Sequence, residues 1–215
     1  MADPTYRKEE FKKLSWDDYG RTLESLYRKV ERYLKENGEE PDAVVPILRG
    51  GAVPGQYLAY RLRLLTILPV QYKYLVINGE GKLRKLSGLD AKPLKGVKRP
   101  VFLLVENNHC FGTTAQVAVD DIRKAFPKSI IIYAAARADY TYRKLKSVDA
   151  QFYGELTNEA KGLTPAEARR KGITNTISIF PWETLDEELK AVNNKEYGYR
   201  DLARMKKYSS DAKSK

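Results

Sequence analysis

Ten consecutive residues, Val105-Glu106-Asn107-Asn108-His109-Cys110-Phe111-Gly112-Thr113-Thr114, gather a carboxylate, two amides, an imidazole, a thiol and two hydroxyls around one glycine. A glycine followed by two hydroxyl residues at a helix start leaves amides and hydroxyls pointing outward, where the helix dipole also favours an anion. Residues 112–114 therefore read as a phosphate cradle. Ahead of them, Glu106 and Asn107 carry strong acceptors, and the amide also donates, which suits the hydroxyls of a sugar. An ordinary strand-to-helix turn with threonine caps fits the same letters, and that reading stays open. His109 is open to two readings as well: contact with a phosphate or proton transfer near neutral pH, or a solvated loop residue.

Such a segment acts only if the chain holds it between a strand and a helix. Val101-Phe102-Leu103-Leu104-Val105 is a buried strand by its unbroken apolar run, and Ala115, Ala118, Ile122, Ala125 and Phe126 follow at helical spacing. Ala43-Val44-Val45-Pro46-Ile47-Leu48 is a second such strand, and a helix carrying Tyr57, Leu58 and Leu62 follows Pro54. Residues 129–134 form a third. Strands alternating with helices imply right-handed βαβ units and a parallel sheet, with ligands bound beyond the carboxyl ends of the strands. The turns at residues 49–52 and 106–114 are therefore expected on one cleft.

The flanks are organised by capping signals. Ser15 and Asp18 form a capping box that opens a helix with Leu23, Leu26, Tyr27, Val30, Tyr33 and Leu34 on one face, and Asn37-Gly38 ends it. Thr164-Pro165-Ala166-Glu167 is a second box. Residues 66–77 read as one or two strands, and residues 78–99, rich in Gly and Lys, as a loop or hairpin able to close over the cleft. Residues 151–153 and 177–180 read as strands, and helices are expected near residues 185–192 and 199–207. The whole is expected to be a single domain, with a core of about residues 14–183, a helical C-terminal extension and a disordered basic tail at residues 209–215.

The 39 Lys and Arg against 28 Asp and Glu give a net charge of +11, which favours anionic partners or simply keeps the surface solvated. Basic runs such as Arg143-Lys144-Leu145-Lys146 leave nucleic acid as a partner open, without a recognisable reading element. No apolar run approaches the ~18 residues of a membrane span, and the N-terminus has no signal pattern, so a cytoplasmic location is expected. With one Cys and one His, any metal must be held by oxygen ligands.

The segment after Val105 resembles the phosphoribosyl-diphosphate signature of the type I phosphoribosyltransferases: an apolar strand, two acids, a short variable stretch, then Gly-x-Thr. Glu106 matches the first acid and Gly112-Thr113-Thr114 the phosphate end. Leu48-Arg49-Gly50-Gly51-Ala52-Val53-Pro54 resembles the family's pyrophosphate loop. Ile179-Phe180-Pro181-Trp182-Glu183 is similar to a segment near the end of the purine members, and Val148-Asp149 to a stretch that precedes it. The resemblance implies an α/β fold with a mainly parallel sheet, flanking helices, a small hood and a helical C-terminal appendage. It implies Mg²⁺ as cofactor with Glu106 toward the metal, and phosphoribosyl diphosphate, a purine base or nucleotide, and further copies of the chain as partners. Arg49, Gly50 and Gly51 would take pyrophosphate, Glu106 and Asn107 the ribose, and Cys110, Phe111, Gly112, Thr113 and Thr114 the 5′-phosphate. Arg137 stands where purine members carry a lysine for the 6-oxo group, and Phe180 and Trp182 would wall the base.

The departures are specific. Asn107 replaces the second acid, Cys110 the acid that handles the purine proton, and Phe111 a small hydroxyl residue. An amide keeps the hydrogen bonding but removes a charge that would hold Mg²⁺ and steady an oxocarbenium-like transition state. A neutral thiol is a poorer proton partner than a carboxylate. Two functions follow: transfer of phosphoribose to a 6-oxopurine with release of pyrophosphate, or an impaired homologue that binds a nucleotide as a regulator or interaction module.

Overall fold

The computed structural model describes residues 7–77 and 80–194. Helix α1 (Trp16–Asn37) begins where Ser15 accepts from the Asp18 amide while Asp18 reaches back to Ser15, and it ends on Gly38 in the left-handed conformation at φ 61°. Both capping signals thus act as their residue types require.

A six-stranded sheet forms the centre, in the order β4-β3-β2-β5-β6-β7. Its strands are β2 (Ala43–Leu48), β3 (Val70–Ile77), β4 (Glu80–Ser87), β5 (Val101–His109), β6 (Ile130–Asp139) and β7 (Ala150–Thr157). Only the β3–β4 pair is antiparallel, so residues 80–87 complete a hairpin rather than a loop. The continuous apolar runs exist because both faces are covered. On one face Val45, Ile47, Phe102, Leu104 and Ile131 pack with Ala115, Val119 and Ile122 of α3 (Thr113–Ala125). On the other, Val44, Leu103, Val105 and Ile132 pack with Leu26, Val30 and Leu34 of α1 and Leu58 of α2 (Ala52–Arg61). Each such side chain contributes about 1.5–3 kcal/mol of burial, so this sandwich dominates stability.

A second, two-stranded sheet pairs β1 (Phe11–Lys13) with β8 (Ile177–Ile179) in parallel and forms the hood. Residues 177–180 therefore supply a strand that does not join the main sheet. Strand β1 escaped sequence reading because Phe-Lys-Lys shows no apolar pattern. Helix α4 (Pro165–Arg170) starts on the Thr164–Glu167 capping box, and α5 (Leu185–Asn194) follows the hood. The expected helix at residues 199–207 and the basic tail at residues 209–215 lie outside the described residues. Among the described residues, no helix is long and apolar enough to cross a membrane.

Candidate functional site

The turn after β2 is built by two glycines with different tolerances. A Cβ on Gly51 would stand 2.4 Å from the Val105 carbonyl oxygen and within 2.8 Å of the Ile47 backbone, so only glycine lets this turn lie against β5. A Cβ on Gly50 would meet only Asn107 Cβ, at 3.2 Å. Because Pro46 of β2 and Val105 of β5 pair in parallel, the Arg49-Gly50-Gly51 turn and the residues after Val105 emerge at the same end of the sheet. The two turns expected to share a cleft thus lie at the same end of the sheet.

Strand β5 does not stop at Val105. It continues through Glu106, Asn107 and Asn108 to His109, paired with β6 up to His109 and Ala138, so the expected loop at 106–114 shrinks to a tight turn before α3. Asn107 is buried, and its Oδ1 accepts from the Tyr19 hydroxyl at 2.7 Å. In this arrangement the amide is engaged with α1 rather than presented to a sugar. Asn108 donates to Glu159 Oε2 at 2.8 Å, and Glu159 Oε1 accepts from the Ser178 amide at 3.1 Å, joining β5 to the hood.

Glu106 keeps part of its surface at the cleft while its carboxyl is enclosed by protein. Burial pushes that carboxyl up to about 7, against the smaller pull of the Tyr133 hydroxyl, which lies 2.7 Å from Oε2. The same hydroxyl lies 2.8 Å from Nδ1 of His109, and His109 Nε2 lies 3.0 Å from the Tyr142 carbonyl oxygen. A carbonyl only accepts, so Nε2 carries the hydrogen. His109 is 1% exposed and burial lowers its pKa, which keeps the ring neutral and makes Nδ1 an acceptor. The phenol has one hydrogen for two acceptors, and a protonated Glu106 completes the chain. His109 is therefore neither solvated nor in a loop, which corrects the reading of a solvated loop residue.

Gly112 sits at φ 73° immediately before α3, and no side chain caps the helix's first turn. A Cβ at Gly112 would lie 2.6 Å from His109 Nε2, so the glycine serves both the dihedral and close packing on the imidazole. This leaves the helix N-terminus at residues 113 and 114 disposed toward an anion, as the cradle requires. Beside it Cys110 is enclosed, and burial, reinforced by the carboxylates of Glu159 and Asp139, pushes its thiol up to about 12. The thiol stays protonated at neutral pH. Phe111 is 60% exposed and meets the Tyr142 ring edge-on at 5.0 Å.

Across the cleft the hood presents an aromatic wall. Phe180 stacks on Trp182 with centroids 5.4 Å apart and planes 13° from parallel, and Tyr19 meets both rings edge-on. Phe180 is buried, whereas Trp182 remains 40% exposed. Glu183 accepts from the Phe180 amide at 2.9 Å, and burial pushes its carboxyl up to about 7, with Arg49 of the glycine turn pulling the other way. The hood and the first turn are thus electrostatic neighbours.

By sequence, no family model and no curated protein matches the chain. Solved structures do match. A purine phosphoribosyltransferase from Pyrococcus horikoshii superposes with a TM-score of 0.58 at 18% identity, over 81% of this chain and 95% of that one. The chain has the fold of the type I phosphoribosyltransferases. A Neisseria gonorrhoeae protein with bound ppGpp gives 0.57 at 18% identity, covering 86% and 97%. The xanthine-guanine-hypoxanthine phosphoribosyltransferase of Helicobacter pylori gives 0.55 at 14%, covering 84% and 99%.

Within this phosphoribosyltransferase fold the sequence-selected residues divide into two groups. Arg49, Gly50, Gly51, Glu106, Gly112, Thr113 and Thr114 belong to the turns and strand end at one end of the sheet, with Arg49 electrostatically coupled to Glu183. Arg137 does not lie beyond its strand but within β6, 1% exposed, with a guanidinium nitrogen 2.9 Å from Glu155 and its Nε without a hydrogen-bond partner. It lines a cavity of about 310 Å³ together with Lys12, Thr22 and Thr174, between the hood and α1. Sequence reading missed Tyr19, Tyr133 and Glu159. A tyrosine closing the run Ile130-Ile131-Ile132 was a usable signal for Tyr133, because a hydroxyl in a buried strand must find a partner. Glu159 lies in irregular chain and gave none.

Proposed function

We propose that the protein is a purine phosphoribosyltransferase-like enzyme that transfers phosphoribose from 5-phosphoribosyl 1-diphosphate to a 6-oxopurine, releasing pyrophosphate. The observation that carries this reading is the packing of Gly51 on the Val105 carbonyl, which sets the Arg-Gly-Gly turn at the same end of the sheet as the Gly-Thr-Thr helix start. Two anion sites at neighbouring strand ends suit a ligand with a diphosphate at one end and a phosphate at the other. In this reading Arg49 and the Gly50 amide hold the diphosphate, since the Gly51 amide already donates to the Ile47 carbonyl at 2.8 Å, while Gly112, Thr113 and Thr114 hold the 5′-phosphate and Trp182 the base.

Mg²⁺ fits this site in a limited way. Among the described residues no group of three or more His, Cys, Asp or Glu is placed to hold a metal. Glu106 is a single carboxylate, and a Mg²⁺ ion bound by one carboxylate, waters and substrate phosphates matches the ion's habits. The ion would neutralise diphosphate charge when bound, and Glu106, enclosed and holding its proton up to about 7, would ionise to receive it. The protein would work as a cytoplasmic homo-oligomer.

A second reading is a nucleotide-binding regulator that has lost turnover. Two observations favour it: Asn107 is tied to Tyr19 where a second acid would serve, and the Cys110 thiol does not ionise near neutrality. The gonococcal protein of the same fold carries ppGpp. Pyrophosphate release measured with hypoxanthine, guanine, xanthine and adenine in turn, with Mg²⁺, separates the two. Release with a 6-oxopurine supports the enzyme, and tight nucleotide binding without release supports the regulator.

A further inference from the structure

Four groups run in line through the floor of the cleft: the Glu106 carboxyl, the Tyr133 hydroxyl, the His109 ring and the Tyr142 carbonyl. The links measure 2.7, 2.8 and 3.0 Å. Tyr133 and His109 are 0% and 1% exposed, and Tyr153 packs on both rings with centroids 6.2 and 5.9 Å away. Two further contacts aim this line at the cleft. The imidazole is so close beneath Gly112 that a Cβ there would lie 2.6 Å from Nε2, and the Tyr142 ring rests edge-on against Phe111.

We infer that His109 and Tyr133 are positioning residues for the phosphate site: a hydrogen-bonded strut that fixes the Cys110-Phe111-Gly112 turn relative to Glu106 and to the turn bearing Tyr142. The inference rests on the reading of residues 112–114 as that site. An apolar side chain at position 109 would fill the same space without direction. The imidazole instead makes two bonds at opposite edges of its ring, so its plane, and with it the seat of Gly112, is set by Tyr133 on one side and the Tyr142 carbonyl on the other. Both partners are needed because a ring held at one edge can still pivot. The strut thereby joins the end of the site that would carry the sugar to the end that would carry its phosphate. It explains why a histidine is buried there between a phenol and a backbone carbonyl.

The chain contains one histidine, so the ring can be observed without ambiguity by nitrogen NMR. In the full-length protein the account expects a neutral ring with its hydrogen on Nε2 and an accepting Nδ1. In Tyr133→Phe the Nδ1 resonance shifts, the backbone amides of Gly112, Thr113 and Thr114 move with it, and guanosine 5′-monophosphate binds roughly tenfold more weakly, the scale of one buried hydrogen bond. His109→Leu should behave as Tyr133→Phe does, whereas His109→Gln, which can both donate and accept, should recover most of the affinity. Amides at 112–114 that stay in place in Tyr133→Phe, or a ring with its hydrogen on Nδ1, would overturn the inference. The amide and ring measurements need no ligand. If they come out as expected while the unaltered protein fails to bind the nucleotide, the strut stands and the phosphoribosyl reading falls.

Discussion

The turn after β2 and the turn after β5 lie at the same end of the sheet, yet they are built in different ways. The first keeps its arginine and both glycines, and its shape is forced by backbone contact, since Gly51 abuts Val105 O and the Ile47 backbone. The second has a glycine and two hydroxyl residues at the start of α3, with the amide of Asn107 and the thiol of Cys110 ahead of them. Its remaining acid, Glu106, is enclosed enough to hold a proton up to about 7. In the proposed reading the difference makes phosphate recognition and transition-state charge separable. Recognition depends on backbone geometry that few substitutions can preserve, whereas charge depends on side chains that can be exchanged without disturbing the fold.

The largest effect is expected where backbone meets backbone. Gly51→Ala should lower the Tm by about 10 °C or more, because the added carbon has no space to occupy and both neighbours are main chain. Gly50→Ala, which meets only the Asn107 side chain, should unfold within a few degrees of the unaltered protein. Equal melting temperatures for the two variants in thermal unfolding would break the contrast between the glycines.

A smaller effect comes from the enclosed acid. The Glu106 carboxyl has a folded-state pKa of about 7, above the ordinary carboxylate value of 4.5. Its favourable contribution is therefore complete below about 4.5 and is lost as pH rises through about 7. Relative to Glu106→Gln, the unaltered protein should lose about 3 kcal/mol of stability across that window and nothing further above it. Denaturant unfolding of both proteins from pH 4 to 8 reads this directly, and a constant difference would show that the carboxyl ionises normally. Mg²⁺-linked ligand binding should tighten over the same window, since the ion needs the carboxylate.

The fold was legible because its apolar runs are unbroken and its helix caps are explicit: Ser15, Gly38 and Thr164 act as their types require. The glycine turns were legible because Gly51 and Gly112 each meet a steric demand that no other residue satisfies. The inner part of the site was not. The polar letters after Val105 suggest a loop, but β6 continues alongside through Ala138 and supplies the ladder bonds that keep residues 106–109 extended. Tertiary pairing overrode local propensity there. For the same reason His109 and Arg137, which look like loop residues in sequence, are buried strand residues held by Tyr133 and Glu155.

The altered acids give the next test in size. Asn107→Asp places a carboxylate within reach of the Tyr19 hydroxyl and beside the cleft, and Cys110→Asp replaces a thiol that does not ionise. In the proposed reading each should raise the rate of pyrophosphate release about tenfold, Asn107→Asp by adding charge at the end of β5 and Cys110→Asp by adding a proton partner, with the double variant above either alone. A regulator with other losses would gain affinity but no turnover. The smallest effect concerns the β3–β4 hairpin, which Lys85 and Tyr72 tether to Asp121 of α3 at 2.9 and 2.7 Å. If this region closes over the cleft, saturating ligand should slow proteolysis at residues 80–94 severalfold. An unchanged cleavage rate would exclude closure.

The most direct test of the two-turn account is a crystal structure of the protein with phosphoribosyl diphosphate and Mg²⁺. The account predicts the diphosphate on the amide of Gly50 with Arg49 beside it, and the 5′-phosphate on the amides of residues 112–114. A ligand bound elsewhere, or one whose phosphates avoid both turns, would contradict it.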